Sequence, residues 1–301
     1  MTSQEAKTIL SEKMEKFIAL SATHLPDDVY QKLEELREKE DDPKQKVIYD
    51  AYFENVKRVD QLKRPCCQDT GLLHFYMKAG TSFPHLDIVE AALREATHNA
   101  TYSVPLRQNT VNYFEERNTN DNTGERIPWI NWELIPGWED LEITTYFAGG
   151  GCCLPGRSQV FKPSDGYAAI VKSVFDAVSG LGINACPPLV VGVGLGHNVE
   201  NAALLSKKAY LRPLGTHHKH PKGAKLEKDL EQGLNSMGIG AQGLRGKSVA
   251  MEVHIESSGR HTATIAVAVN VACYAHRRGV IRFHKDLSYE VLSYKNAAEY
   301  L

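Results

Sequence analysis

The stretch Ala185–Gly196, ACPPLVVGVGLG, decides the fold class. Pro188–Val193 is Val-rich, apolar and of strand length, so it reads as a short buried strand running into the glycine-rich GVGLG. Helical sequence follows at once over Val199–Leu211, and a further helix over Ala224–Ser236. Val249–Ile255 and Thr264–Cys273 are the last two strand candidates, rich in Val and Ala. Working back from Ala185, Asp165–Leu181 is helical, and Glu142–Phe147 alternates like a strand before the triplet Gly149-Gly150-Gly151. Asp87–Thr97 reads as an amphipathic helix, and Leu72–Met77 as a strand after the turn QDTG. The first sixty residues are helical in texture. Ile9, Met14, Phe17 and Ile18 recur at helical spacing, Pro26-Asp27-Asp28 starts a helix over Val29–Glu40, and Pro43 opens a third. That third helix carries Val47, Ile48, Tyr52, Val56 and Val59 on its apolar face. The strands are unevenly spaced and the helices do not separate them one for one. A mixed α/β fold follows, irregular rather than Rossmann-like or TIM-like, as one domain over 1–301 with a helical lead-in over 1–62.

Composition excludes more than it identifies. Among 301 residues, 35 Lys and Arg balance 37 Asp and Glu, so no basic field argues for nucleic acid or an anionic membrane surface. An acidic substrate would need local cations instead. No apolar run approaches the roughly 18 residues of a membrane span. The opening MTSQEAKTILSEKMEKF lacks the plan of a secretory signal, and Glu5, Glu12 and Glu15 oppose a transit peptide, so the expected location is the cytoplasm.

In a large chain of that location, six cysteines suggest metal ligands, reactive thiols or inert buried thiols rather than disulfides. Cys67 lies in PCCQDTG, Cys186 in NACPP and Cys273 in ACYAHRR. Their wide spacing matches neither structural zinc pairs nor ferredoxin clusters. Each does sit in or beside a turn or strand end, where a scaffold presents functional groups. Three thiolates on a four-iron cluster would leave one iron open to act as a Lewis acid.

Candidate substrate holders stand nearby in sequence. Gln68 and Asp69 follow Cys67, and Arg107 in PLRQN has the planar fork that suits a carboxylate, with a structural ion pair as its alternative. Gly149, Gly150 and Gly151 offer backbone N–H groups with nothing in the way, or simply a tight turn. GVGLG lacks the third glycine and downstream acid of a dinucleotide fingerprint. His217, His218 and His220 read as a polar loop before metal ligands, and His254 and His261 as core or site-flanking histidines. His276-Arg277-Arg278 either places positive charge beside Cys273 or is a solvated run.

Taken in order, CQDTG, PLRQN, NTGERIPW, AGGGCCLPGRS, ACPPLVVGVG, GIGAQGLRG, HIESSGRH and CYAHRRG give the chain a resemblance over nearly its whole length. It resembles the iron–sulfur hydro-lyases, which comprise the class I fumarases and the L(+)-tartrate dehydratases. The resemblance implies that Cys67, Cys186 and Cys273 hold a [4Fe–4S] cluster, and leaves Cys66, Cys152 and Cys153 outside the trio. It implies that Gln68, Asp69, Arg107 and the glycine run bind a hydroxy-dicarboxylate. It also implies a second unit supplying the catalytic base. That unit is expected on a separate beta subunit, and the resemblance implies an α2β2 assembly. One stretch points to the substrate: where fumarases write KGGGSEN this chain has AGGGCCLPGRS. That favours dehydration of L-tartrate to oxaloacetate over a fumarase subunit acting on malate and fumarate. It also makes Arg157 a candidate for substrate choice, unless it merely pairs with an acidic side chain. His197, where fumarases look like GGT, carries no substrate conclusion. A non-catalytic iron–sulfur sensor and a cysteine-nucleophile enzyme are the rivals from other classes; no nucleic-acid patch supports the first and no base partner the second.

Overall fold

The computed structural model describes residues 2–301. Helix and strand are mixed, as the uneven spacing predicts. Backbone contacts divide the chain into two compact units. The first comprises residues 1–27, 54–149 and 277–301; the second comprises 28–53 and 150–276.

In the first unit, helix α1 (Ser3–Thr23) starts from a capping box: the Glu5 amide donates to Thr2 Oγ1, and the Thr2 amide donates to the Glu5 carboxylate. Its buried face, Leu10, Met14, Phe17 and Ile18, joins the core with helix α4 (Val89–Ser103). Both pack with a five-stranded sheet. Its members are β1 (Leu72–Gly80), β4 (Trp129–Ile135), β5 (Leu141–Ala148), β10 (Arg278–Phe283) and β11 (Tyr289–Val291), in the order β11-β10-β5-β1-β4. Only β1 and β4 run parallel. A small hairpin, β2 (Val111–Asn112) and β3 (Arg117–Asn118), stands apart from that sheet.

In the second unit, β6 (Arg157–Phe161), β7 (Leu189–Gly196), β8 (Ala250–Ser257) and β9 (Ile265–Ala272) pair in the order β6-β9-β7-β8, with β7 and β8 parallel. Helix α6 (Gly166–Gly180) and helix α8 (Pro221–Ser236) close over a core that includes Ile170, Val174, Leu230, Val191, Val253 and Val269. The GVGLG glycines belong to β7 itself and not to a loop after it. A Cβ at Gly194 would lie 1.9 Å from the Ala202 carbonyl oxygen of helix α7 (Val199–Leu211), so only glycine admits so close a helix. The glycines serve packing, which is why the dinucleotide pattern is incomplete. Helix α2 (Asp27–Lys39) and helix α3 (Pro43–Leu62) begin at the predicted Asp27 and Pro43 signals. No helix among the described residues is long and apolar enough to cross a membrane.

Candidate active site

In the first unit the PCCQDTG loop, between α3 and β1, separates its two adjacent cysteines. Cys66 is 4% exposed, its amide donates to the Ala22 carbonyl at 2.9 Å, and its carbonyl accepts from Asn55 Nδ2 at 2.8 Å. Those anchors turn Cys66 inward and leave Cys67 half-buried, with its thiol donating to Gln68 Oε1 at 3.5 Å. Asp69 Oδ1 accepts from the Gly71 amide at 3.0 Å and from Asn109 Nδ2 at 3.1 Å. Gly71 itself has φ +76°, and a Cβ there would lie 2.7 Å from the Ala148 carbonyl carbon, so the glycine of CQDTG lets the loop close on the end of β5. That closure brings the glycine run alongside: a Cβ at Gly149 would lie 3.2 Å from Asp69 Oδ2.

Arg107 is fixed by its backbone and exposed at its head. Its carbonyl accepts from Thr70 Oγ1 at 3.2 Å and Asn122 Nδ2 at 3.1 Å, which ties PLRQN and NTGERIPW to the cysteine loop. Its guanidinium meets no carboxylate among the described residues, so the ion-pair alternative for Arg107 does not apply. The CYAHRRG run is not solvated. His276, Arg277 and Arg278 are each 1 to 2% exposed. Arg277 Nη2 donates to the Asp69 carbonyl at 2.8 Å and its guanidinium lies 5.4 Å from the Phe147 ring centroid.

The second unit carries the other two expected ligands on neighbouring turns. Cys186, exposed, follows the 3-10 turn Gly182–Ala185 in the left-handed region at φ +54°. Cys273 follows the end of β9, and the amide of the next residue, Tyr274, donates to the Cys186 carbonyl at 3.2 Å. Four further contacts hold this junction, and the sequence did not flag them. The Tyr52 ring stacks on Tyr274 with centroids 3.7 Å apart, and its hydroxyl donates to the Pro187 carbonyl at 2.9 Å. Gln242 Nε2 donates to that hydroxyl at 2.7 Å, and the Gln242 amide to the same Pro187 carbonyl at 3.0 Å. Burial raises the Tyr52 hydroxyl well above the usual phenol range, against the Gln242 hydrogen bond, so it remains a donor at neutral pH. Gln242 is also left-handed, at φ +54°; a strained non-glycine residue beside Cys186 marks a position the surroundings over-determine. Tyr52 reads in sequence as one more apolar-face residue of α3, which hides its hydroxyl. For Gln242 the available signal was its long amide set among the glycines of GIGAQGLRG.

Gly150 and Gly151 open helix α5 (Gly150–Cys153), and a Cβ at Gly151 would lie 2.9 Å from the Asn184 carbonyl oxygen on the turn before Cys186. Cys152 is buried and Cys153 exposed. Arg157 starts β6, with Nη1 4.0 Å from Asp176 Oδ2, the acidic pairing raised as its alternative. The His217–His220 segment is a capping loop: the His220 side chain accepts from the Lys222 amide at the start of α8, and His218 Nδ1 accepts from the His220 amide. His254 is a core histidine, 2.8 Å from Glu252 and 3.1 Å from the Ala209 carbonyl, while exposed His261 accepts from the Ala263 amide.

Thiol donors on turns and strand ends, none of them in a disulfide, fit a thiolate-held cluster. No group of three or more His, Cys, Asp or Glu among the described residues is arranged around a single ion. Thiolates of a cluster bind different irons and stand farther apart than ligands of one ion, so the two facts are compatible.

Residues 11–282 match the fumarate hydratase (Fumerase) family. The chain belongs to that family. It is 50% identical over 295 residues to the L(+)-tartrate dehydratase subunit alpha of Escherichia coli K12, covering 98% of this chain and 97% of that one. The same subunit of Escherichia coli UTI89 gives the same figures. A putative L(+)-tartrate dehydratase subunit alpha of Methanocaldococcus jannaschii is 35% identical over 280 residues, 92% of this chain and 98% of that one. Membership of the fumarate hydratase family accords with the resemblance carried by CQDTG, GIGAQGLRG and CYAHRRG, and the names of these relatives are those of hydro-lyases.

Proposed function

We propose that this chain is the alpha subunit of an iron–sulfur hydro-lyase that dehydrates L-tartrate to oxaloacetate. The observation that carries the reading is identity of 50% over nearly the full length of relatives named for that reaction. Cys67, Cys186 and Cys273 hold a [4Fe–4S] cluster, with the two turns of the second unit tied together through Tyr274. When bound, the cluster supplies a Lewis acid at the iron that lacks a thiolate.

The remaining work falls to side chains of this chain and of a partner. Arg107, exposed and without a carboxylate of its own, takes a substrate carboxylate through its fork. Gln68, exposed beside Cys67, and Asp69 suit substrate hydroxyls better than carboxylates. Gly149 already faces the Asp69 carboxylate, which opposes a second anion there. A base on a second, beta subunit removes the proton from the carbon next to the departing hydroxyl. The enol so formed tautomerises to oxaloacetate.

The test is anaerobic reconstitution of this chain alone and co-expressed with a candidate beta subunit, with water elimination from L-tartrate followed as oxaloacetate. Turnover should require both chains and the cluster. Full turnover by this chain alone would remove the beta subunit from the reading, and turnover by cluster-free protein would remove the cluster.

A further inference from the structure

Arg277 carries a buried charge with two unused donors. It is 2% exposed, and Nη2 is occupied by the Asp69 carbonyl at 2.8 Å. Nε and Nη1 meet no acceptor among the described residues, and no carboxylate there pairs with the guanidinium. Its backbone is fixed as well, since its carbonyl accepts from the Phe147 amide at 3.2 Å and the Phe147 face lies under the guanidinium. A buried cation with neither counter-charge nor full hydrogen bonding is strongly disfavoured, so an anion belongs beside those two donors. The Asp69 contact places them two residues from Cys67.

We propose that Arg277 is the resident counter-charge of the iron–sulfur cluster, donating from Nε and Nη1 to its sulfur atoms, and not a binder of substrate. This rests on the cluster reading above. A four-iron cluster held by three thiolates is anionic overall and stays through every turnover. A substrate carboxylate leaves each cycle and would strand the buried charge each time. Arg107 shows the opposite design: its head is exposed, water solvates it between turnovers, and it suits a transient anion.

The experiment compares Arg277→Gln, Arg277→Lys, Arg277→Met and Arg107→Gln with wild type, each as the full chain, cluster-free and after anaerobic reconstitution. Cluster-free Arg277→Met should melt at or above the wild-type temperature, because it deletes an uncompensated charge. Reconstituted Arg277→Gln should release iron to a chelator roughly 10- to 100-fold faster, as loss of a supporting partner typically does. Its cluster midpoint potential should move negative, since removing a positive charge disfavours the added electron, and Arg277→Lys should recover part of both effects. With the partner chain present, Arg277→Gln should leave KM unchanged, whereas Arg107→Gln should raise KM and leave the potential alone. The proposal is overturned if Arg277→Gln raises KM with unchanged potential, which makes the anion the substrate. It is also overturned if cluster-free Arg277→Met is strongly destabilised, which makes the role structural. Wild-type potential and iron retention in Arg277→Gln would sink it while leaving the cluster reading intact. A wild-type chain that takes up no cluster would sink both.

Discussion

The Tyr52 hydroxyl donates to the Pro187 carbonyl, one residue beyond Cys186, while its ring stacks on Tyr274, one residue beyond Cys273. One side chain therefore braces both cysteine-bearing turns of the second unit, and Gln242 completes the brace by donating to the Tyr52 hydroxyl. Tyr52→Phe keeps the stack, removes one donor and leaves the Gln242 amide group unpaired. The expected cost is about 1–2 kcal/mol by urea unfolding of the cluster-free protein. Gln242→Leu should cost a similar amount, and the double variant clearly less than the sum, because both changes cut one relay. Strict additivity would show that the two side chains act independently.

Within the cysteine loop, the contrast between neighbours gives a sharper outcome. Cys67→Ser, Cys186→Ser and Cys273→Ser should each fail to hold a full complement of iron and sulfide after anaerobic reconstitution. Cys66→Ser should hold it, because Cys66 is turned inward by Ala22 and Asn55. Iron and sulfide per chain, with the visible spectrum, check this. A cluster in Cys67→Ser and none in Cys66→Ser would reverse the assignment.

Acid should weaken the second unit through Glu252. Burial alone would raise its carboxyl, but the His254 hydrogen bond, the Lys32 charge and the Gly215 amide outweigh that and lower it from 4.5 to about 2. A folded value below the unfolded one means the stabilisation is complete above pH 4.5 and is lost as pH falls from there to about 2. The shift corresponds to roughly 3 kcal/mol at neutral pH. Glu252→Gln should therefore lie well below wild type in urea midpoint at pH 7, with the gap closing as pH drops through that window. A gap independent of pH would assign the loss to packing instead.

What the sequence disclosed follows a physical line. Val199–Leu211 and the Pro43 start were legible because periodicity and capping act locally. Strands β4 and β6 were not, since their half-exposed patterns are fixed only by pairing with β1 and β9, both remote in sequence. The cysteine turns and Arg107 stood out through residue type and motif. Tyr52 and Gln242 did not, because their roles arise from partners as remote in sequence as Pro187 and Tyr274; Arg277 was legible as charge after Cys273, but its burial against the Asp69 carbonyl was not. No local pattern encodes such a meeting.

The substrate prediction turns on how one hydroxyl is accommodated. Tartrate differs from malate by that group alone, so an enzyme that hydrogen-bonds it can reject malate by orders of magnitude through unpaired buried partners. Gln68 is exposed next to the Cys67 thiol, and Asp69 lies against Gly149, so both have polar oxygens suited to hydroxyls. The assembled two-chain enzyme should prefer L-tartrate to malate in kcat/KM. Gln68→Ala should narrow that preference by lowering the tartrate value more than the malate value. Arg157→Ala should leave the ratio unchanged, because the Arg157 guanidinium is turned to Asp176 on α6, whose carboxylate also holds Lys172. Anaerobic steady-state kinetics on L-tartrate, D-tartrate, meso-tartrate, malate and fumarate measure all three expectations. A clear preference for malate and fumarate would place this chain with the fumarases, with its cysteine chemistry untouched. A ratio that collapses in Arg157→Ala would instead return the choice of substrate to the residues flanking the glycine run, where Ala148, Cys152 and Cys153 already depart from the fumarase pattern.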